Sequence, residues 1–171
     1  MKAKLIIEDR EIEVEISEEE YKKLQPPEEK KTGYERVLPD NEFYYAASRG
    51  CIESGIDAYD YIDNEYYESA NYYSSPIVAD NNIRADKLMR QLRRFAVQHR
   101  EPGINFNNAT TEKYYIICDY ENDELRATYT SYAKVFGAIY FDSREVANAA
   151  IDKFHDELIW YFTEYKDSLQ E

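Results

Sequence analysis

The residues best suited to chemistry lie between positions 57 and 68, where carboxylates are interleaved with tyrosines. The carboxylates of this acidic tyrosine-rich segment are Asp57, Asp60, Asp63, Glu65 and Glu68, and its tyrosines include Tyr59, Tyr61, Tyr66 and Tyr67. Carboxylates can act as fixed charges, metal ligands or general acids and bases, and each tyrosine adds an apolar ring with a polar tip. Three interpretations of this segment therefore have to be compared.

The first interpretation is a solvated acidic loop whose tyrosines belong to the core, because runs of like charge commonly form an exposed face. The second is a calcium site, but the acid spacing does not fit the calcium-binding loop and no glycine makes its turn, so no metal is predicted. The third is a nucleic-acid mimic, because carboxylates on alternate residues of a strand repeat about every 6.6 Å and can imitate a line of phosphates. The tyrosines would then supply rigid contact area.

Linear motifs of catalytic or cofactor sites are missing, and we predict a protein that is not an enzyme and needs no cofactor. The chain has no nucleophile elbow, zincin, Walker A or dinucleotide-binding pattern. His99 falls on the apolar stripe of a helix, and His155 with Asp156 does not make a dyad by sequence alone. Cys51 and Cys118 lack a histidine-containing signature, so buried structural thiols are expected.

The charge balance restricts the class of partner. The 171 residues include 35 acids and 21 Lys or Arg, which gives a net charge of −14 and argues against general binding to nucleic acid through phosphate contacts. No apolar run approaches the roughly 20 residues of a membrane span, and no signal-peptide apolar region follows the first residue. The missing apolar run predicts that the protein has no membrane partner. The chain has only two cysteines, so a reducing compartment is expected.

Positive charge is concentrated between residues 84 and 100. The bases there are Arg84, Lys87, Arg90, Arg93, Arg94 and Arg100, and the one acid is Asp86. This pattern is typical of the solvated face of an amphipathic helix, although it would also suit contact with nucleic acid or an acidic partner. The acidic remainder of the chain would repel phosphate, so direct nucleic-acid binding is not expected.

The chain is expected to consist of a small N-terminal module, a linker and a main domain. Residues 1–25 predict a hairpin and a short helix, because apolar residues alternate strictly with glutamates between positions 10 and 16 and a capping-box pattern follows. The proline-rich and charged residues 26–33 predict a linker. Residues 34–171 then form the main domain.

Two long helices are predicted in the main domain. The first begins with Ser75 as N-cap and Pro76 at the first helical position, and the second begins with Asp142 as N-cap. Ile159 and Trp160 lie off the apolar stripe of the second helix, so the N-terminal module or another subunit is expected to cover them. They are therefore candidates for an oligomer interface.

The strands of the main domain predict an α+β fold with an antiparallel sheet. Residues 113–120 and 124–131 form a hairpin, and 137–141 form a third strand. Aromatic pairs at Tyr44-Tyr45 and Tyr114-Tyr115, each followed later by a helix start, indicate a duplicated β-β-(β)-α unit. Chance resemblance between tyrosine-rich strands is the alternative.

Several segments resemble a family of small proteins encoded by phages and prophages of Gram-positive bacteria. The resemblance rests on Tyr114-Tyr115-Ile116, on Phe136-Gly137-Ala138-Ile139-Tyr140-Phe141-Asp142-Ser143, on Leu88-Met89-Arg90-Gln91-Leu92 and on the opening Met1-Lys2-Ala3-Lys4-Leu5. It spans most of the chain and implies a setting of accessory genes, in which inhibitors of host defence such as anti-CRISPR proteins are common. It assigns no binding residues.

The leading hypothesis is a phage inhibitor that acts in the cytoplasm of the bacterial host. Its acidic tyrosine-rich segment would bind the basic nucleic-acid groove of a host defence protein, such as a CRISPR effector nuclease. The alternative is an oligomeric structural module of phage development that uses Ile159, Trp160 and the N-terminal hairpin as its interface. A third interpretation is nucleic-acid binding by the basic helix.

Overall fold

The computed structural model describes residues 2–7, 10–15, 17, 31–99, 104–122 and 124–165. The chain divides into two compact units, residues 1–32 and 33–171. In the first unit, β1 (Lys2–Ile7) pairs antiparallel with β2 (Arg10–Glu15), so the predicted N-terminal hairpin is present. The short helix predicted after this hairpin and most of the predicted linker lie outside the described residues.

The second unit alternates hairpins with helices, and its α+β class agrees with the prediction. Its elements are β3 (Glu42–Ala46), β4 (Ile52–Ile56), α1 (Tyr61–Glu68), α2 (Pro76–Gln98), β5 (Lys113–Asp119), β6 (Glu124–Thr130) and α3 (Arg144–Thr163). β3 pairs with β4 and β5 pairs with β6, both antiparallel. None of the helices described is long and apolar enough to cross a membrane.

In each hairpin of the second unit, one residue of the first strand also pairs with a residue from a later segment of the chain. Tyr44 and Tyr73 exchange hydrogen bonds of 2.8 and 2.9 Å between their N–H and carbonyl groups. Tyr114 and Phe141 exchange the equivalent pair at 3.0 and 2.8 Å. The chain segment that enters each long helix is therefore bonded to the first strand of the preceding hairpin.

A serine two residues after each of these bridges caps the long helix that follows. The Ser75 hydroxyl accepts from the Val78 N–H, and the Ser143 hydroxyl accepts from the Val146 N–H. Each serine thereby satisfies one of the free N–H groups in the first turn. The same arrangement recurs in both halves of the unit, while descent from a duplication stays a prediction.

Two predicted boundaries in the second half were wrong. The N-cap of α3 is Ser143 and not Asp142, because Ser143 has the extended backbone of a capping residue and the accepting hydroxyl. The third strand expected over 137–141 is reduced to the single bridge at Phe141. Residues 135–138 form a turn in which the Ala138 N–H donates to the Val135 carbonyl oxygen at 3.3 Å, so few extended residues precede Phe141 and no longer ladder forms.

The main core lies where α2 and α3 pack on each other and on the second hairpin. Its buried members are Leu88, Leu92, Phe95, Ala96, Leu125, Ala127, Phe141, Ala147, Ala150, Ile151 and Leu158. The alanines of α3 permit close approach, while each fully buried leucine or phenylalanine stabilises the fold by roughly 1.5–3 kcal/mol. This packing confirms the apolar face expected for each helix, although His99, which was placed on the stripe of the first one, is exposed at the end of α2.

The close approach of Gly33 to α2 yields a first prediction. Gly33 has φ +89°, and a Cβ there would lie 2.5 Å from Cγ2 of Val78, whereas Gly137 has φ +77° with no neighbour within 4 Å. Gly137→Ala should lower the free energy of unfolding by about 1–2 kcal/mol through backbone strain alone. Gly33→Ala adds the clash and should cost at least about 1 kcal/mol more. Urea unfolding of both variants measures the difference, and equal losses would contradict the predicted contact.

Candidate functional site

The acidic tyrosine-rich segment is built around a buried ion pair. Asp57 is 0% exposed, and its carboxylate meets the Arg36 guanidinium through two hydrogen bonds, Nε to Oδ2 at 2.8 Å and Nη2 to Oδ1 at 3.0 Å. The Nη1 atom of Arg36 also donates to Oδ1 of Asn64 at 2.6 Å, which ties the pair to α1. This two-point geometry suits an arginine better than a lysine.

The remaining acceptor positions of Asp57 are also filled. The Tyr72 hydroxyl donates to Oδ2 at 2.7 Å, and the Tyr59 N–H donates to Oδ1 at 2.8 Å. Hydrogen bonds from Arg36 hold the pKa of Asp57 well below its usual range, with support from the Tyr72 hydroxyl and despite burial. Burial, and then the bond to Asp57, raise the pKa of Tyr72 well above its usual range.

Aromatic rings cover the same guanidinium. The centre of the Arg36 guanidinium lies 3.9 Å from the Tyr59 ring centroid and 5.6 Å from that of Tyr67. Tyr59 adopts the left-handed backbone with φ 58°, and its hydroxyl donates to the Val37 carbonyl oxygen at 3.1 Å. The surrounding contacts thus hold Tyr59 in a conformation that costs free energy for a residue with a Cβ.

Two further predicted carboxylates cap α1. Asp60 accepts from the N–H groups of Ile62 and Asp63 at 2.8 and 3.1 Å. Asp63 is buried and accepts from the Ala58 N–H at 2.7 Å and the Asp60 N–H at 3.3 Å. This reciprocal capping box satisfies free donors at the helix start and explains why residues 61–68 form a helix instead of a strand.

The side chain of Tyr66 packs inward against the first hairpin. Its ring centroid lies 4.5 Å from that of Tyr45 and 5.8 Å from that of Phe43. Phe43 in turn stacks on Tyr72 at 4.4 Å with nearly parallel rings. These contacts fix α1 on β3, so Tyr66 supports the surface and does not present its face to a partner.

Three of the exposed side chains of α1 form one stripe, while Ile62 and Tyr67 are exposed outside it. Tyr61, Glu65 and Glu68 are exposed and are spaced by four and three residues, which places them on one side of the helix. We call these three residues the α1 face. Asp60 is exposed at the start of the helix, and Tyr67 is 44% exposed beside Arg36.

The predicted array of binding residues is therefore corrected in part. Asp57 and Asp63 lie inside the protein, where they bond to Arg36 and to backbone N–H groups, so neither offers a surface charge. The strand spacing assumed for a phosphate mimic is absent, because α1 is a helix. Arg36 was missed, although it and Arg49 are the only bases between residues 32 and 83, a region rich in acids. The excess of acids over bases in this region was the sequence signal for a buried ion pair that includes one of these arginines.

The proposed oligomer interface also needs correction. Trp160 is only 7% exposed, because the Arg84 guanidinium lies 3.8 Å from its ring centroid and Tyr165 packs at 5.5 Å. Arg84 is held there by Glu157, with Nε to Oε2 at 2.9 Å. Ile159 is half-buried at the edge of the core. The chain itself thus covers the indole, and no second subunit is required to do so.

Other residues considered for chemistry are scattered. Across the ranges that the structure describes, no three His, Cys, Asp or Glu side chains are grouped to hold a metal ion. Cys51 is exposed in the turn between β3 and β4, which contradicts the expected burial, and Cys118 is partly buried on β5. His155 contacts the exposed Asp156 at 3.2 Å. No protein-family model matches the chain, and neither a curated protein nor a solved structure is significantly similar to it.

The buried pair yields a second prediction. Asp57→Asn should lower the free energy of unfolding at neutral pH by about 3–5 kcal/mol, because it leaves Arg36 without its counter-ion. The matched control is Glu157→Gln, which breaks an exposed arginine pair and should cost less than about 1 kcal/mol. Urea unfolding of wild type and both variants measures these losses.

The same comparison has a pH dependence of definite sign. The pKa of Asp57 is lowered in the folded protein, so its contribution to stability is complete above the unfolded-state pKa of about 4. That contribution is lost as the pH falls below this value. The difference in unfolding free energy between wild type and Asp57→Asn should therefore shrink between about pH 5 and pH 2. A constant difference would contradict the assigned ion pair.

Proposed function

We propose that this protein is a non-enzymatic inhibitor, encoded by a phage or prophage, that acts in the cytoplasm of the bacterial host. It binds the positively charged nucleic-acid groove of a host defence nuclease, such as a CRISPR effector. The observation that carries the proposal is the α1 face, where Tyr61, Glu65 and Glu68 are exposed together on a short helix within an acidic region.

The contacts that hold α1 in place favour a binding role for its exposed side. The Arg36–Asp57 pair, the capping box and the packing of Tyr66 fix the helix before any partner is present. A rigid surface loses little conformational entropy on binding, and a tyrosine flanked by carboxylates offers both contact area and charge. The net charge of −14 would also speed association with a basic groove.

Inhibition would follow from competition for one groove. A defence nuclease holds nucleic acid in a channel lined by lysines and arginines, and recognises its backbone there. Carboxylates that occupy part of this channel replace phosphates as partners of those bases, so nucleic acid cannot enter. In contrast to a strand mimic, α1 would place Glu65 and Glu68 about 5–6 Å apart at their Cβ atoms.

The experiment that tests the proposal is capture of the tagged protein's partner from a Gram-positive host lysate, at low and at high salt. We expect a nucleic-acid-processing nuclease that is retained at low salt and released at high salt. The purified nuclease is then titrated with labelled target DNA in the presence of the protein. Inhibition that is relieved by excess nucleic acid supports competition, and inhibition that excess nucleic acid does not relieve contradicts it.

Neutralisation of Asp60 and of the two glutamates of the α1 face yields a third prediction. The triple variant Asp60→Asn, Glu65→Gln, Glu68→Gln keeps an N-cap acceptor, since asparagine caps as well as aspartate. Its association rate with the captured nuclease should fall by about tenfold or more, and the dependence of that rate on salt should flatten. Surface plasmon resonance at several salt concentrations measures both quantities.

A control variant separates local charge from net charge. Glu121→Gln, Glu124→Gln, Asp156→Asn removes the same number of exposed acids outside α1. It should change the association rate by no more than about threefold, through the loss of long-range attraction alone. Equal effects of the two triple variants would show that the α1 face is not the binding site.

A further inference from the structure

One strand edge of the second hairpin is open where the equivalent edge of the first hairpin is closed. In an antiparallel strand, backbone groups of alternate residues point to opposite sides. Tyr114 directs its N–H and carbonyl to Phe141, away from β6. Ile116, two residues later on β5, therefore directs its own N–H and carbonyl to the same side.

The first hairpin shows how such an edge is closed. Ala46 stands two residues after Tyr44, just as Ile116 stands two residues after Tyr114. The Asn71 side chain bonds both backbone groups of Ala46, accepting from its N–H at 2.7 Å and donating to its carbonyl oxygen at 3.0 Å. The amide of Asn71 thus takes the place of a neighbouring strand.

The second hairpin lacks this closure. Ile139 occupies the position equivalent to Asn71, two residues before the bridge, and its side chain has no polar atom. Within the described residues, no hydrogen bond reaches the N–H or carbonyl of Ile116 from the side of Ile139. An extended chain could supply that pair of bonds.

An apolar groove lies directly beside this open edge. It has a volume of about 290 Å³ and is lined by residues that include Met89, Leu92, Ile116, Ile139, Tyr161 and Phe162. Phe136 stands at its margin and is fully exposed, at 104%. A groove next to an unpaired edge is the arrangement by which added strands gain both affinity and side-chain specificity.

The charges around the groove indicate the chemistry of its occupant. None of the residues that line it is charged. Lys134 precedes the lining residue Val135 and is exposed, with its Nζ 4.6 Å from the Phe106 ring centroid. Phe106 packs on Tyr140 and Tyr140 on Tyr115, so this cation lies on the face of β5 opposite to the side chain of Ile116. The groove is therefore suited to apolar side chains, and Lys134 to a carboxylate on the other face of an added strand.

We propose that the open β5 edge and this groove bind an extended segment of a partner protein in which apolar residues alternate with acidic ones. The segment pairs with Ile116 as an added strand, places an apolar side chain in the groove, and directs a carboxylate on its other face towards Lys134. This surface is separate from α1, and its occupant does not depend on the function proposed above.

The test uses an acetylated nonapeptide of alternating glutamate and valine, titrated into the isotopically labelled full-length protein up to about 1 mM. We expect chemical-shift changes at Ile116 and Ile139 and slower hydrogen exchange of the Ile116 amide. A peptide in which lysine replaces glutamate should bind at least about threefold more weakly, because its cations are directed towards Lys134. Two peptides N-methylated on alternate residues, in the two possible registers, separate backbone pairing from side-chain contact, since only one register can retain binding.

Variants of Ile139 provide the matched control. Ile139→Asn introduces the amide that closes the first hairpin and should weaken peptide binding by about tenfold, as one pair of backbone bonds is lost. Ile139→Val keeps the edge open and should bind within about twofold of wild type. Phe136→Ala alters only a fully exposed ring, so it tests the groove even if Ile139→Asn folds poorly, and it should weaken binding at least about threefold.

Three results would overturn the proposal. The first is the absence of any shift at Ile116 at the highest peptide concentration. The second is equal binding by Ile139→Asn and Ile139→Val. The third is an Ile116 amide that is already protected in the free protein while sedimentation shows a dimer, because a second copy of the chain would then occupy the edge.

Discussion

The acidic half of the second unit depends on the buried pairing of Arg36 with Asp57. Four donors converge on this one carboxylate, from Arg36 twice, Tyr72 and Tyr59, and Arg36 also reaches Asn64 on α1. The pair therefore joins a coil segment, the end of β4, the start of α1 and the segment that enters α2. Without the guanidinium, a buried carboxylate in a chain of net charge −14 would oppose folding.

The two halves of the second unit use one backbone scheme with different side chains. At the position of Phe43 in the first hairpin, the second has Lys113, which is fully buried and donates to the carbonyl oxygens of Asn108 and Ser131 at 2.5 and 2.6 Å. A lysine can occupy this site because backbone carbonyl oxygens accept hydrogen bonds from its ammonium group. At the position of Asn71 the second hairpin has Ile139, and one edge is left open.

These differences between equivalent residues give the two halves different surfaces. In the first half, buried aromatic rings and polar groups hold a short helix whose exposed side is acidic. In the second half, apolar side chains surround a groove beside the open backbone groups of Ile116, and the exposed Lys134 stands next to a residue that lines it. A single chain with two unlike surfaces could contact two partners, or two regions of one partner, without a change of fold.

Much of the secondary structure could be predicted from the sequence, because it depends on near neighbours. The N-terminal hairpin followed from strict alternation, the start of α2 from Ser75 and Pro76, and the pairing of β5 with β6 from two aromatic and β-branched runs around a turn. The candidate site could be predicted only in part. Glu65, Glu68 and Tyr61 are exposed, but the burial of Asp57 depends on Arg36, 21 residues earlier, and that of Trp160 on Arg84 in another helix. Local patterns determine helices and strands because those hydrogen bonds join residues close in sequence. Which charges are neutralised inside the protein is decided by contacts between distant residues, and only the tertiary structure determines these.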